Sequence, residues 1–288
     1  MSYLSDFKSA PFDIFNNPPT STNYVGTATT PSNGYTGTGL NGIPDYSYDS
    51  LLGSRWATED GRILTLVSNA ATALVSGVLV QSSAEVTAFQ NLAMTVPTAY
   101  PATAGAFQVL VTNGGTVLNQ NQYAGGYFIV GAGTGIGQTL RIASHQAAAA
   151  SATFVVTLED PIQVTLDATS TVTLMDIPYQ NVIKTPATTA TGGTIGATLY
   201  PVPASVAPTY NVTSGALVTA GTPQYFYVVS HGPAGVIADS SAPAIGLPIS
   251  TSVVTAGTFG TGSLSHSIIG NTLQTSTSAK ASLVYLTL

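Results

Sequence analysis

The chain consists of short apolar runs separated by turn residues. Residues 58–83 show the pattern: they read TEDGRILTLVSNAATALVSGVLVQSS. RILTLVS and GVLVQ predict strands, and NAATAL predicts a single helical turn that Gly77 ends. No charged residue occurs between Arg62 and Glu85. The lack of charge raises the question of whether this segment faces water or another protein surface.

Later segments repeat the strand pattern. AFQVLVTNGGTVLNQ predicts a hairpin turning at 113–115, and YFIVGAGTGIGQTLRIAS predicts another with alternate glycines in its loop. TFVVTLEDPIQVTLDATSTVTLMDI predicts three short strands, and strands resume at YFYVVS, GLPIS and SLVYLTL. Turn signals at roughly 8–12-residue spacing are typical of barrels and sandwiches. We predict an all-β fold of β-barrel or sandwich modules, with short helical turns only at 70–76 and 146–151.

Residues 1–53 differ from the rest, because they are rich in Pro and Asn-Gly and keep no periodicity. This composition predicts an extended N-terminal arm, since Pro fixes φ and Gly permits turns. A floppy tail is the alternative, but disordered tails are poor in aromatic residues. Single aromatic residues along the arm suggest anchors that bind pockets of a partner: Phe7, Phe12, Phe15, Tyr24, Tyr35, Tyr46 and Tyr48.

The remaining chain suggests two β modules. Residues 54–81 and 200–288 are predicted to form one β-barrel domain, and 82–199 a β-domain inserted into it. The Thr/Gly-rich stretch 185–198 is the candidate linker.

The surface chemistry is unusual, since charged residues make up 6% of the chain, against about 25% in ordinary globular domains. Apolar content is 44%, so the missing charge is replaced by small polar residues and not by a larger core. Interspersed charge keeps surfaces apart, and we therefore expect protein partners, including copies of this chain as a dimer or trimer, to cover much of the exterior.

Charge and motif content exclude several partner classes. The net charge of −6 and six scattered Lys and Arg residues argue against nucleic acid. No apolar run approaches the roughly 20 residues that span a bilayer, and the first residues do not resemble a Sec signal peptide. We expect a protein made in the cytoplasm, without membrane contact.

Catalytic and cofactor motifs are weak. GAGTGIG lacks the spacing of a dinucleotide fingerprint, because Ile136 and Gln138 stand where it needs glycine, and a strand-like segment follows it. The histidines form no local metal motif, there is no cysteine, and Ser230 and His231 would point to opposite faces of a strand.

Carboxylates could still meet in space as a glycosidase pair. The candidates are Glu59-Asp60, Glu159-Asp160 and Asp167. Turn chemistry explains Asp60-Gly61 and Asp160-Pro161 more simply. Asn211-Val212-Thr213 fits a glycosylation sequon, which we attribute to chance. We predict no enzyme activity, no cofactor and no metal.

The order of several motifs resembles the capsid decoration (cement) proteins of tailed bacteriophages. The matching segments run from LLGSRWATEDGRILTLVSNAATALVSGVLVQ through NQYAGGYFIVGAGTGIGQTLRI and VVTLEDPIQVTLDATSTVTLMDIPYQNVI to QYFYVVSHGPAGVIADSSAPAIGLPIS and SIIGNTLQTSTSAKASLVYLTL. They cover about residues 50–288, and the arm has no close counterpart. The resemblance implies a β-barrel protein on the outer surface of the virion capsid, which binds the major capsid protein and stabilises it across capsomer seams. It implies no catalytic residue.

Other structural roles share this composition. A tail, fibre or baseplate component of a phage is the principal alternative, although we find no repeats or coiled-coil segment. A tailspike enzyme would need convergent carboxylates, and a surface-layer protein would need an export signal.

Overall fold

The computed structural model of the chain describes residues 25–27, 52–90, 92–100, 102–210, 217–219, 221–241, 243–262 and 266–288. These residues contain strands, turns and bends but no helix, and the predicted all-β class is confirmed. The helical turns predicted at 70–76 and 146–151 are wrong. Leu74 and Ala148 instead form β-bridges to Val202 and Leu118, which keep both segments irregular and extended.

The strands are numbered along the described residues. They are β1 Val25–Thr27, β2 Arg55–Ala57, β3 Ile63–Ser68, β4 Leu79–Gln81, β5 Met94–Thr95, β6 Gln108–Thr112, β7 Tyr127–Ala132, β8 Thr139–His145, β9 Thr153–Leu158, β10 Thr171–Met175, β11 Ile183–Lys184, β12 Thr194–Thr198, β13 Thr209–Tyr210, β14 Leu217–Thr219, β15 Gln224–Ile237, β16 Pro248–Thr251, β17 Phe259–Thr261, β18 Ile268–Thr272 and β19 Ala281–Thr287.

The chain divides into two compact units. Unit 1 comprises Met1–Ser83, Pro178–Val206 and Thr222–Leu288, and unit 2 comprises Ala84–Ile177 and Ala207–Gly221. The inserted unit therefore ends its main segment at Ile177 and not at residue 199, because β11 and β12 pair within the sheet of unit 1. Of the predicted arm, only residues 25–27, 52 and 53 are described, and the arm stays a prediction.

Unit 1 is built on one sheet centred on β15. The strand order is β11-β4-β12-β15-β19-β18-β16-β17, with β1 and β3 also pairing with β15, and β2 with β3. The run Tyr225–Val229 in β15 is buried throughout, because β15 is covered on both faces. This explains why the segment YFYVVS is apolar without alternation. A buried hydrogen bond of 2.8 Å between the Thr65 and Ser230 hydroxyls ties β3 to β15.

Unit 2 contains a closed antiparallel barrel of six strands in the order β10-β5-β6-β9-β8-β7, and β13 pairs with β14 in a separate small sheet. Alternate residues point inward, as in β9, where Phe154, Val156 and Leu158 are buried and the residues between them are not. These side chains belong to a single apolar core inside the barrel. The period of two follows from the pleat of the strand.

The glycine-rich hairpin is confirmed, since β7 and β8 pair antiparallel. Gly133, Gly135 and Gly137 in its loop have φ of 76°, 81° and 90°, a region that glycine enters without steric cost. Their alternate spacing thus builds a compact turn and not a phosphate loop.

The hairpin predicted at 113–115 is wrong. β6 pairs with β5 and β9, and the segment after the turn is not a strand. The Asn113 amide instead donates to the carbonyls of Thr116 and Ala149, at 2.7 and 2.9 Å, and so anchors a loop. The middle strand predicted in 161–167 is likewise absent, because Leu166 makes only a single bridge, to Ala102.

Candidate interaction surface

The aromatic residues predicted as partner anchors all lie outside the described residues, and their role stays a prediction. They are Phe7, Phe12, Phe15, Tyr24, Tyr35, Tyr46 and Tyr48. The sequon at 211–213 also lies outside them.

His145 is a buried structural residue, 3% exposed, at the end of β8. Its Nε2 accepts the backbone N–H of Tyr123 at 2.9 Å, and its Nδ1 lies 2.9 Å from the carbonyl of Gln146. This pairing requires a neutral ring with the proton on Nδ1. Burial lowers the pKa of His145, which favours the same neutral form.

Ser230 and His231 do not form a nucleophile–base pair. The Ser230 hydroxyl is buried and bonds to Thr65 and to the carbonyl of Ile63. His231 packs edge-to-face on Tyr285, with ring centroids 5.4 Å apart. The side chains of Ser230 and His231 thus lie on opposite faces of β15, as strand geometry requires.

Asp60 belongs to a tight turn. Its carboxylate accepts the Thr58 hydroxyl and forms an ion pair with Arg62 Nε at 2.7 Å. The Thr58 hydrogen bond and then Arg62 lower the pKa of Asp60 to about 2. The turn explains TEDGR without assigning it a catalytic role.

Two further acidic candidates, Glu159 and Asp167, have partners close in space. Glu159 lies 3.7 Å from Arg141 Nε. Asp167 accepts hydrogen bonds from Thr169 and Thr134, which lower its pKa. Among the described residues no group of three His, Asp or Glu side chains could hold a metal ion. Nor does this part of the chain contain a helix long and apolar enough to cross a membrane.

The most distinctive surface is the outward face of β19. Ser282, Val284 and Leu286 are buried, whereas Leu283 and Tyr285 between them are 41% and 37% exposed. The segment SLVYLTL therefore carries apolar residues on both faces of the strand. An outward apolar residue is normal singly, but adjoining ones indicate a contact surface.

Neighbouring strands extend this surface. Leu273, 45% exposed, donates its N–H to the carbonyl of Leu283 and so stands beside it. The loop before β16 runs alongside, because Gly246 and Leu247 hydrogen-bond to Thr272. We define the β19 face as the exposed side chains Leu273, Leu283 and Tyr285.

The β19 face consists of Leu283 and Tyr285 in β19 and of Leu273 directly after β18. These two strands contain no Asp, Glu, Lys or Arg, and neither do β15 and β16 in the same sheet. Interface cores are depleted of Lys, Glu and Asp and enriched in aromatic residues. The sequence signal for this surface was the double-sided apolar pattern of SLVYLTL, which predicts a strand without showing which side remains uncovered.

Burial of the β19 face would be favourable. A fully exposed Leu or Phe-sized side chain gains about 1.5–3 kcal/mol on burial, and Leu273, Leu283 and Tyr285 are each roughly two-fifths exposed. Covering them is therefore worth about 2–4 kcal/mol in total, enough to change an affinity by more than tenfold.

Comparison of the chain with family models, with curated proteins and with solved structures finds no match.

Proposed function

We propose that this protein is a structural virion protein that decorates the outside of a tailed-phage head. It binds the major capsid protein across seams between capsomers and contacts further copies of itself. The observation that carries the proposal is the β19 face, an apolar surface of Leu273, Leu283 and Tyr285 in a part of the sheet whose strands β15, β16, β18 and β19 contain no charged residue. The motif order and the charge-poor composition support it.

The physical logic follows from mass action. A protein that binds the assembled shell but not free subunits stabilises the shell by RT ln(1 + [L]/Kd). Weak contacts repeated on a lattice add through effective concentration. Uncharged contacts also lose little strength as salt rises, since ionic screening acts on charges.

The test is binding of purified protein to phage heads that lack it, measured by co-sedimentation. Leu283→Lys places an ammonium group in the contact, and we expect at least about tenfold weaker binding, because the charge must be desolvated. Ile136→Lys is the matched control, since Ile136 is 67% exposed in the β7–β8 loop, outside the β19 face. Both variants should keep the wild-type circular dichroism.

Two outcomes would reject the proposal. Equal binding of Leu283→Lys and wild type would remove the β19 face from the contact. Gold labelling of the protein on the tail, and not on the head, would favour the fibre or baseplate alternative.

A further inference from the structure

A polar groove of about 310 Å³ lies on the outer side of the unit 2 barrel. Its lining consists of amide and hydroxyl residues with one histidine and one aliphatic residue, and it contains no Asp, Glu, Lys or Arg. The lining residues are Gln108, Gln120, Asn121, Ser144, His145, Gln146, Val155 and Thr157.

A β-bulge shapes the floor of the groove. Ile142 pairs with Leu158 but Ser144 pairs with Thr157, so that β8 carries one extra residue. The bulge lets Ile142 and His145 both point into the barrel while Ser144 lines the groove. Bulges commonly re-aim side chains next to functional sites.

The rim amides have fixed orientations. Asn121 Oδ1 accepts the N–H of His145 at 2.9 Å, and Gln146 Oε1 accepts that of Val155 at 3.1 Å. Because the oxygens are engaged, the NH₂ groups are the ends that can donate to a ligand. Asn121 also has a φ of 57°, a left-handed conformation that the surrounding hydrogen bonds maintain.

The chemistry of the lining restricts the ligand class. The absence of charge disfavours phosphates and carboxylates, and the predominance of polar groups in the lining disfavours lipids. A peptide cannot extend the sheet here, because the barrel is closed and its strands have no free edge. A sugar hydroxyl both donates and accepts, which matches a mixed amide and hydroxyl surface.

We propose that this groove binds a short segment of neutral oligosaccharide. The volume lies at the lower end of the range for small-molecule sites, which suits a short segment. This inference is independent of the proposed capsid role, since it uses only unit 2.

The experiment is saturation-transfer NMR on the full chain with three probes: maltotriose, N,N′-diacetylchitobiose and, as a charged comparator, trigalacturonic acid. Gln108→Ala with Gln120→Ala removes two groove amides that make no described hydrogen bond within the protein. We expect binding of at least one neutral probe to weaken about tenfold, which corresponds to about 1.4 kcal/mol. Gln163→Ala, in the same unit but outside the groove, should bind as wild type does.

Several results would overturn the inference. These are the absence of signal from both neutral probes, a preference for the charged probe, or an unchanged signal in the double variant. A synthetic peptide of residues 1–24 serves as a further probe, and binding of this peptide but of neither neutral sugar would assign the groove to a polypeptide instead.

Discussion

Replacing His145 by leucine should destabilise the barrel of unit 2 and remove part of its pH dependence. Leucine keeps most of the volume but offers no acceptor to the buried N–H of Tyr123, which His145 Nε2 accepts at 2.9 Å. A buried donor left without a partner costs about 1–3 kcal/mol. The edge-to-face contact with Phe154, at 6.0 Å between ring centroids, is lost as well, and aromatic pairs add about 0.5–1.5 kcal/mol.

The direction of the pH effect follows from the protonation states. In the folded barrel, burial lowers the pKa of His145 and keeps the ring neutral. In the unfolded chain the exposed ring binds a proton near its ordinary pKa of about 6.5. The unfolded state therefore binds more protons as the pH falls. The stability that the neutral buried ring contributes is therefore fully present above about pH 6.5 and is lost as the pH falls below that value. The free energy of unfolding changes there by up to about 1.4 kcal/mol per pH unit.

Hydrogen exchange measured by mass spectrometry can isolate this effect in unit 2. Peptides covering β6 and β9 report the opening free energy of the barrel, after correction for the intrinsic exchange rate at each pH. His231→Leu is the matched control, because His231 belongs to β15 in unit 1. The reasoning fails if His145→Leu retains the wild-type slope between about pH 5 and 7, or if it leaves barrel protection unchanged.

Two further predictions concern unit 1. Gly270→Ala should lower the free energy of unfolding by more than about 2 kcal/mol, because φ is 152° and a Cβ would collide with the carbonyl of Tyr285. Urea unfolding measures the loss, and Gly235→Ala is the control because a Cβ at Gly235 meets open space. Equal losses in the two variants would refute the collision at Gly270. The carboxyl pKa of Asp60 should be about 2 by NMR titration and should rise both in Thr58→Val and in a variant lacking the Arg62 guanidinium. An unchanged pKa in either variant would show that the partner removed there does not lower it.

Much of the strand content could be predicted from the sequence. YFYVVS lies within β15, and GLPIS and SLVYLTL overlap most of β16 and β19. β-branched, aromatic and leucine residues in YFYVVS and SLVYLTL favour strands. The glycine-rich turn between β7 and β8 was also predictable, since alternate glycines permit the positive φ values that it uses.

Pairing partners could not be predicted in the same way. Asn113-Gly114 has the local chemistry of a two-residue turn, but β6 gains more from β9, with which it pairs over five residues. Tertiary pairing therefore overrides the local signal. The division at Ile177 was missed for a similar reason, because the short strands β11 and β12 carry little pattern until β4 and β15 lie beside them.

The candidate surfaces show the same limit. An apolar residue such as Leu283 looks identical in sequence whether it is buried or exposed, and only the register with β18 shows that it is outward. The amides of the polar groove come from three separated segments, 108, 120–121 and 146, which the barrel brings together.

The central position of β15 has a consequence for synthesis of the chain on the ribosome. The Thr65–Ser230 hydrogen bond joins β3 to a strand 165 residues later, and at about 5–20 residues per second that strand emerges roughly ten to thirty seconds afterwards. The inserted barrel, whose main segment is continuous, can form in the interval. Until then β3 has only the short strand β2 as a preceding partner, and its apolar side chains remain uncovered by β15. We therefore expect holding chaperones to crosslink to nascent chains halted before residue 224 and to release them once β15 has emerged.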